Sequence, residues 1–65
     1  MISEILKEKI LESKTYEECL EKCDLNETNE LNFLILESGY LERDDVGGNW
    51  EKAYMYIKED VEEEQ

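Results

Sequence analysis

The chain has 65 residues, with nineteen Asp and Glu against seven Lys and Arg, no His and no Pro, for a formal net charge of −12. That length gives one small domain with a thin core, burying only about 60% of the surface its unfolded chain exposes; Leu and Ile are plentiful enough to exclude wholesale disorder. The charge opposes phosphate binding, no apolar run is long enough to span a bilayer, and no basic stretch precedes an apolar one at the N-terminus, so a cytoplasmic protein is expected.

Ile2, Ile5, Leu6, Ile10 and Leu11 are spaced for one face of a helix over residues 2–13. Ser3 caps it, and Glu4 sits well against the helix dipole. Thr15 opens a second helix, 15–24. Thr15-Tyr16-Glu17-Glu18 matches a capping box, and Tyr16, Cys19, Leu20 and Cys23 fall at i, i+3, i+4 and i+7. Asp24 ends this helix, and Leu25 is expected to tuck into the core. A third helix, 27–38, is capped by Asn26 or Thr28. Leu31, Leu34 and Ile35 form its buried stripe, widened by Phe33 and Leu36, and Gly39 supplies a left-handed C-terminal residue. A helix this apolar needs cover on more than one side.

The remainder has two readings. In one, Tyr40-Leu41-Glu42-Arg43 is a short strand and Asp44-Asp45-Val46-Gly47-Gly48-Asn49 a turn. Trp50, Lys52, Tyr54 and Tyr56 then alternate with Glu51, Ala53, Met55 and Ile57 along a returning strand, giving a hairpin at 40–44 and 50–58. In the other, Asn49 caps a helix with Trp50, Ala53, Tyr54, Ile57 and Val61 on one face. The Gly-Gly turn between two aromatic-rich runs favours the hairpin. The domain then covers 1–58, and 59–65 is a like-charge acidic tail expected to fray.

Thr15 to Asn26, followed by Leu31 to Arg43 with its ending Leu36-Glu37-Ser38-Gly39-Tyr40-Leu41-Glu42-Arg43, resembles a winged helix-turn-helix domain. The ending is similar to the C-terminal domains of some phage antirepressors. The resemblance covers residues 15–58 and implies a mainly α fold, with three helices and a two-stranded wing. It also implies transcription regulation by DNA binding, and here the sequence departs from the family. DNA-binding members place Arg, Lys, Ser or Gln on the exposed face of the second helix of the motif; this chain has Glu27, Asn29, Glu30, Asn32 and Glu37. Asn29 and Asn32 suit a base edge but stand among carboxylates. The wing would add Arg43 and Lys52, but also Asp44, Asp45 and Glu51.

The charge is uneven. Residues 1–25 hold four Lys against seven acids, a net of −3, and residues 26–65 hold three basic residues against twelve acids, a net of −9. Without His there is no histidine base and no Cys–His pair, so an enzyme is not expected. Cys19 and Cys23, at i and i+4, would place their Cβ atoms about 5–6 Å apart, too far for the roughly 4 Å of a disulfide. They are also two ligands short of a zinc site. Free thiols, no metal and no cofactor are expected. The acids around the Gly-Gly turn miss the calcium-loop spacing, with Val46 where a ligand belongs. Trp50, Tyr54 and Tyr56 on one strand face would suit base stacking or, better, a protein contact.

The expected function is therefore a small acidic protein-binding regulator or inhibitor, of a prokaryote or its virus. It would act on the basic surface of a nucleic-acid-binding protein, with a DNA mimic as one form: an antirepressor, a polymerase or nuclease inhibitor, or an anti-CRISPR protein. The residues expected to meet that partner are Glu27, Glu30, Glu37, Asp44, Asp45, Trp50, Tyr54 and Tyr56. A homodimer is left open. The alternative is a DNA-binding winged-helix transcriptional regulator, favoured by the fold and opposed by the charge.

Overall fold

The computed structural model describes residues 2–64. Helix α1 spans Glu4–Leu11, α2 Tyr16–Lys22, α3 Leu25–Ser38 and α4 Trp50–Glu63, with a 3-10 turn at Tyr40–Glu42 between the last two. The helix starts fall at capping side chains. Ser3 Oγ accepts from Leu6 N at 3.3 Å, and Thr15 Oγ1 from Glu18 N at 3.1 Å. The α3 cap is Asp24, not Asn26 or Thr28. Its carboxylate accepts from Glu27 N at 2.8 Å while Glu27 accepts from Asp24 N at 2.9 Å, a reciprocal capping box. Starting α3 there makes Leu25 its first residue and leaves that side chain 76% exposed, outside the core it was expected to enter. Gly39 closes α3 at φ +80, a left-handed conformation that costs a residue with a Cβ about 1–2 kcal/mol.

The expected wing is absent. No strand occurs among the described residues, so the winged-helix fold, its β-hairpin and the resemblance to phage antirepressor domains are overturned. Residues 40–42 form the 3-10 turn, and 50–58 belong to α4. Burial explains the outcome. Ala53 and Tyr54 are adjacent and both fully buried, which a strand with alternating faces does not allow at a half-exposed sheet. Ala53, Tyr54, Ile57 and Val61 share one face only at helical spacing. Asn49 fixes the start, its Oδ1 accepting from Glu51 N at 2.9 Å and Lys52 N at 3.2 Å. The Gly-Gly turn is real, with Gly47 and Gly48 at φ +56 and +80, but it leads into a helix. The expected acidic tail is, through Glu63, the end of that helix, anchored by the buried Val61. Met1 and Gln65, the outer ends of the two expected ranges, lie outside the described residues.

Helix α4 packs against the other three helices and the 3-10 turn. The core joins its Ala53, Tyr54, Ile57 and Val61 to Leu6 and Ile10 of α1, Cys19 of α2, Leu31 and Ile35 of α3, and Val46 of the loop. At its centre the end of α1 meets α4. The Tyr54 hydroxyl lies 3.0 Å from Ile10 O and 2.9 Å from Ser13 O, and the Lys58 ammonium donates to Ile10 O, Leu11 O and Ser13 O at 3.3, 3.1 and 2.9 Å. Lys22 donates to Glu12 O at 2.8 Å. Two cations and a phenol thus satisfy the carbonyls that a helix end leaves unpaired, where the dipole favours positive charge. Phe33 and Leu36, expected to widen the buried stripe of α3, are 62% and 58% exposed. Among the described residues no helix is long and apolar enough to cross a membrane.

Candidate functional site

The residues expected to meet a partner separate into three groups. Glu27 and Glu30 are spent within the fold. Glu27 completes the α3 capping box and pairs with Lys9, whose ammonium, followed by the Asp24 amide, holds the Glu27 carboxyl below its ordinary value. Glu30 accepts from Ser3 N and Ser3 Oγ, both at 3.0 Å, and so ties α3 to the start of α1. Tyr54 and Trp50 belong to the interior and its edge. Tyr54 is fully buried, and burial pushes its phenol well above the ordinary range, so it is not a contact residue. Trp50 is half-buried and stacks on Tyr16 with ring centroids 5.8 Å apart. Glu37, Asp44 and Asp45 are exposed, and Tyr56 is half-buried.

Asp45 and Tyr56 open onto the outer face of α4. A shallow groove of about 290 Å³ runs there, lined by Asp45, Lys52, Met55, Tyr56 and Glu59. Its wall is rigid. The Tyr56 ring stacks on Tyr40 at 4.9 Å, the Arg43 guanidinium lies 4.7 Å from the Tyr56 ring centroid, and the Tyr40 hydroxyl donates to Asp60 at 2.6 Å. Asp45 accepts from the Tyr56 hydroxyl and from Arg43 Nε, and these two bonds hold its carboxyl below the usual 3.8. The floor is apolar, with Met55 47% exposed beside the Tyr56 ring. Glu59, Glu62 and Glu63 continue the same side of α4 into solvent. Met55 and Glu59 escaped the sequence reading because a strand places Met55 opposite Tyr56. Helical spacing instead gathers Lys52, Met55, Tyr56 and Glu59 at i, i+3, i+4 and i+7.

The two cysteines are free, and their sulfurs lie 4.0 Å apart. Cys19 is buried. Burial, then the neighbouring Cys19, pushes the Cys23 thiol up to about 11, so it stays protonated near neutral pH and is a poor nucleophile or metal ligand. Among the described residues no three His, Cys, Asp or Glu side chains converge as a metal site. Compared with known proteins, the chain matches no family model, no curated protein and no solved structure.

Proposed function

We propose that this chain is a small acidic regulator or inhibitor that binds the basic surface of another protein, of the kind that nucleic-acid-handling proteins present to phosphates. One observation carries the reading: most of the positive charge is paired within the chain, while many of the described carboxylates are exposed and unpaired. Lys58 and Lys22 bond to the carbonyls at the end of α1, Lys9 pairs with Glu27, Arg43 with Asp45, and Lys7 with Glu4 and Glu64. Exposed carboxylates stand on all four helices and in the loop: Glu8 on α1 with Glu12 at its C-cap, Glu17 and Glu21 on α2, Glu37 on α3, Asp44 in the loop, and Glu59, Glu62 and Glu63 on α4. Like charges four apart on a helix destabilise it slightly, so Glu8–Glu12 and Glu17–Glu21 are a cost that folding does not explain. Complementary fields, by contrast, speed association with a basic partner.

The α4 groove is the best anchor for that contact. It offers Met55 and Tyr56 as an apolar floor and Glu59 as an acceptor for a Lys or Arg head, beside Lys52 and an Asp45 already bonded to Arg43 and the Tyr56 hydroxyl. The acidic face would then occupy a surface otherwise open to phosphates, which is DNA mimicry in a helical frame. The test is capture of proteins from a host extract on the immobilised chain, followed by elution with duplex DNA. Release of basic, nucleic-acid-binding proteins by the DNA is expected. Captured proteins that resist both DNA and salt would contradict the reading, as would direct binding of the DNA by the chain.

A further inference from the structure

We infer that the Asp45 carboxylate and the Tyr56 ring form a guanidinium seat, that Arg43 fills this seat in the free protein, and that an arginine of the partner displaces Arg43 on binding. The inference rests on the proposed function and names the side chain by which a basic partner is recognised. The Arg43 guanidinium lies 4.7 Å from the Tyr56 ring centroid, and its Nε donates to Asp45 Oδ1 at 2.9 Å. The second carboxylate oxygen, Oδ2, accepts from the Tyr56 hydroxyl. The Tyr40 ring stacks on Tyr56 at 4.9 Å and is itself anchored by its hydroxyl bond to Asp60. Ring and carboxylate are thus held by groups other than Arg43, so the seat keeps its shape when the guanidinium leaves.

Chemistry selects arginine as the occupant. A guanidinium is planar, so it lies over an aromatic ring and directs N–H groups at a carboxylate in the same pose. An ammonium is a compact, strongly hydrated charge without that plane. The chain itself shows the difference. Lys52 lines the groove with Asp45, Tyr56 and Glu59, yet among the described residues Asp45 pairs with Arg43, and Lys52 makes no ion pair. Access follows from position, because Asp45 and Tyr56 belong both to the seat and to the groove on α4, so an arginine lying in that groove reaches them directly. The Arg43 and Asp45 side chains are 52% and 50% exposed, and exposed pairs of this kind contribute little to stability. Arg43 therefore leaves the seat at little cost to the fold. While it stays, it holds the apparent affinity down, because only molecules with an open seat take a ligand there.

Hexa-arginine and hexa-lysine peptides, blocked at both ends, serve as probes in calorimetric titrations at one low ionic strength. Arg43→Ala tightens hexa-arginine by about fivefold or more, the inverse of the fraction of wild-type molecules with the seat open, and tightens hexa-lysine much less. Lys52→Ala removes the same charge from the same groove without opening the seat, and tightens both peptides alike. Asp45→Asn, added to Arg43→Ala, removes the preference for arginine. In the wild type, the Arg43 Nε–H resonance moves to its solvent-exposed position as hexa-arginine saturates the protein. Equal gains for the two peptides in Arg43→Ala, or an Nε–H resonance that stays in place at saturation, would overturn the seat and leave the basic-partner reading intact. Binding of neither peptide by any of these proteins would contradict that reading, and the inference with it. If Arg43→Ala loses its helical circular dichroism, the wild-type resonance decides alone.

Discussion

Tyr54 and Lys58 share acceptors at the end of α1, and this junction fixes how the two helices meet. Tyr54→Phe removes only the hydroxyl and is expected to cost about 1–3 kcal/mol, less if Lys58 moves to compensate. In a domain this small that lowers Tm by roughly 4–8 °C per kcal/mol. Because Ile10 O and Ser13 O accept from both side chains, Tyr54→Phe and Lys58→Met should be non-additive in a double-mutant cycle of thermal unfolding. Strict additivity would show that the two groups act independently. Glu27 makes a separate prediction with pH. Its folded carboxyl lies below the ordinary 4.5, held there first by Lys9 and then by the Asp24 amide. A depressed folded value means a contribution present above the unfolded pKa and lost as pH falls through the folded one. Wild type should therefore lose its advantage over Glu27→Gln on acidification below about pH 4.5. Parallel pH profiles would show that the Lys9 pair and the cap have no net effect.

Helix α4 is the element on which the fold turns, and it is also the element most easily misread. Helices α1 and α2 were legible from their caps and most of their apolar spacing, although Ile5, expected on the inner face of α1, is exposed; Gly39 at the end of α3 was legible too, because each is a local signal. The start of α3 was displaced because Asp24 reads equally as the end of α2, and only the reciprocal bonds with Glu27 identify it as a cap. For Trp50–Ile57, alternation and helical spacing both fit the residue types. The core then decides, since Ala53, Tyr54, Ile57 and Val61 fill the gap between α1, α2 and α3. The candidate site suffered from the same error. Tyr54 looked like a surface aromatic only as part of a strand, and Met55 and Glu59 joined Tyr56 only on a helix. Val61→Asp tests the full length of α4: it should destabilise by on the order of 2–4 kcal/mol, because an acid would enter the core. Unchanged thermal unfolding would mean that the last turns fray as the charge run suggests. Gly39→Ala, with nothing within 4 Å of the added Cβ, should cost about 1–2 kcal/mol from backbone strain alone.

At the scale of the whole molecule, the core side of each helix holds the fold, and exposed carboxylates stand on all four helices and in the loop. Self-repulsion at −12 weakens the compact state. Raising salt from about 0.01 M to about 1 M shortens the screening length from about 30 Å to about 3 Å and should raise Tm; a Tm that falls would show that the internal ion pairs outweigh the surface repulsion. The same charge should govern recognition. The most direct measurement is the association rate of a captured basic partner with wild type, Asp44→Lys and Glu59→Lys as ionic strength rises. Both substitutions fall on exposed side chains and should leave the fold intact. The expected result is a wild-type rate that falls steeply with salt, with slower association and a shallower salt dependence in both variants. Rates that are equal in all three proteins and indifferent to salt would contradict the acidic surface as the means of binding.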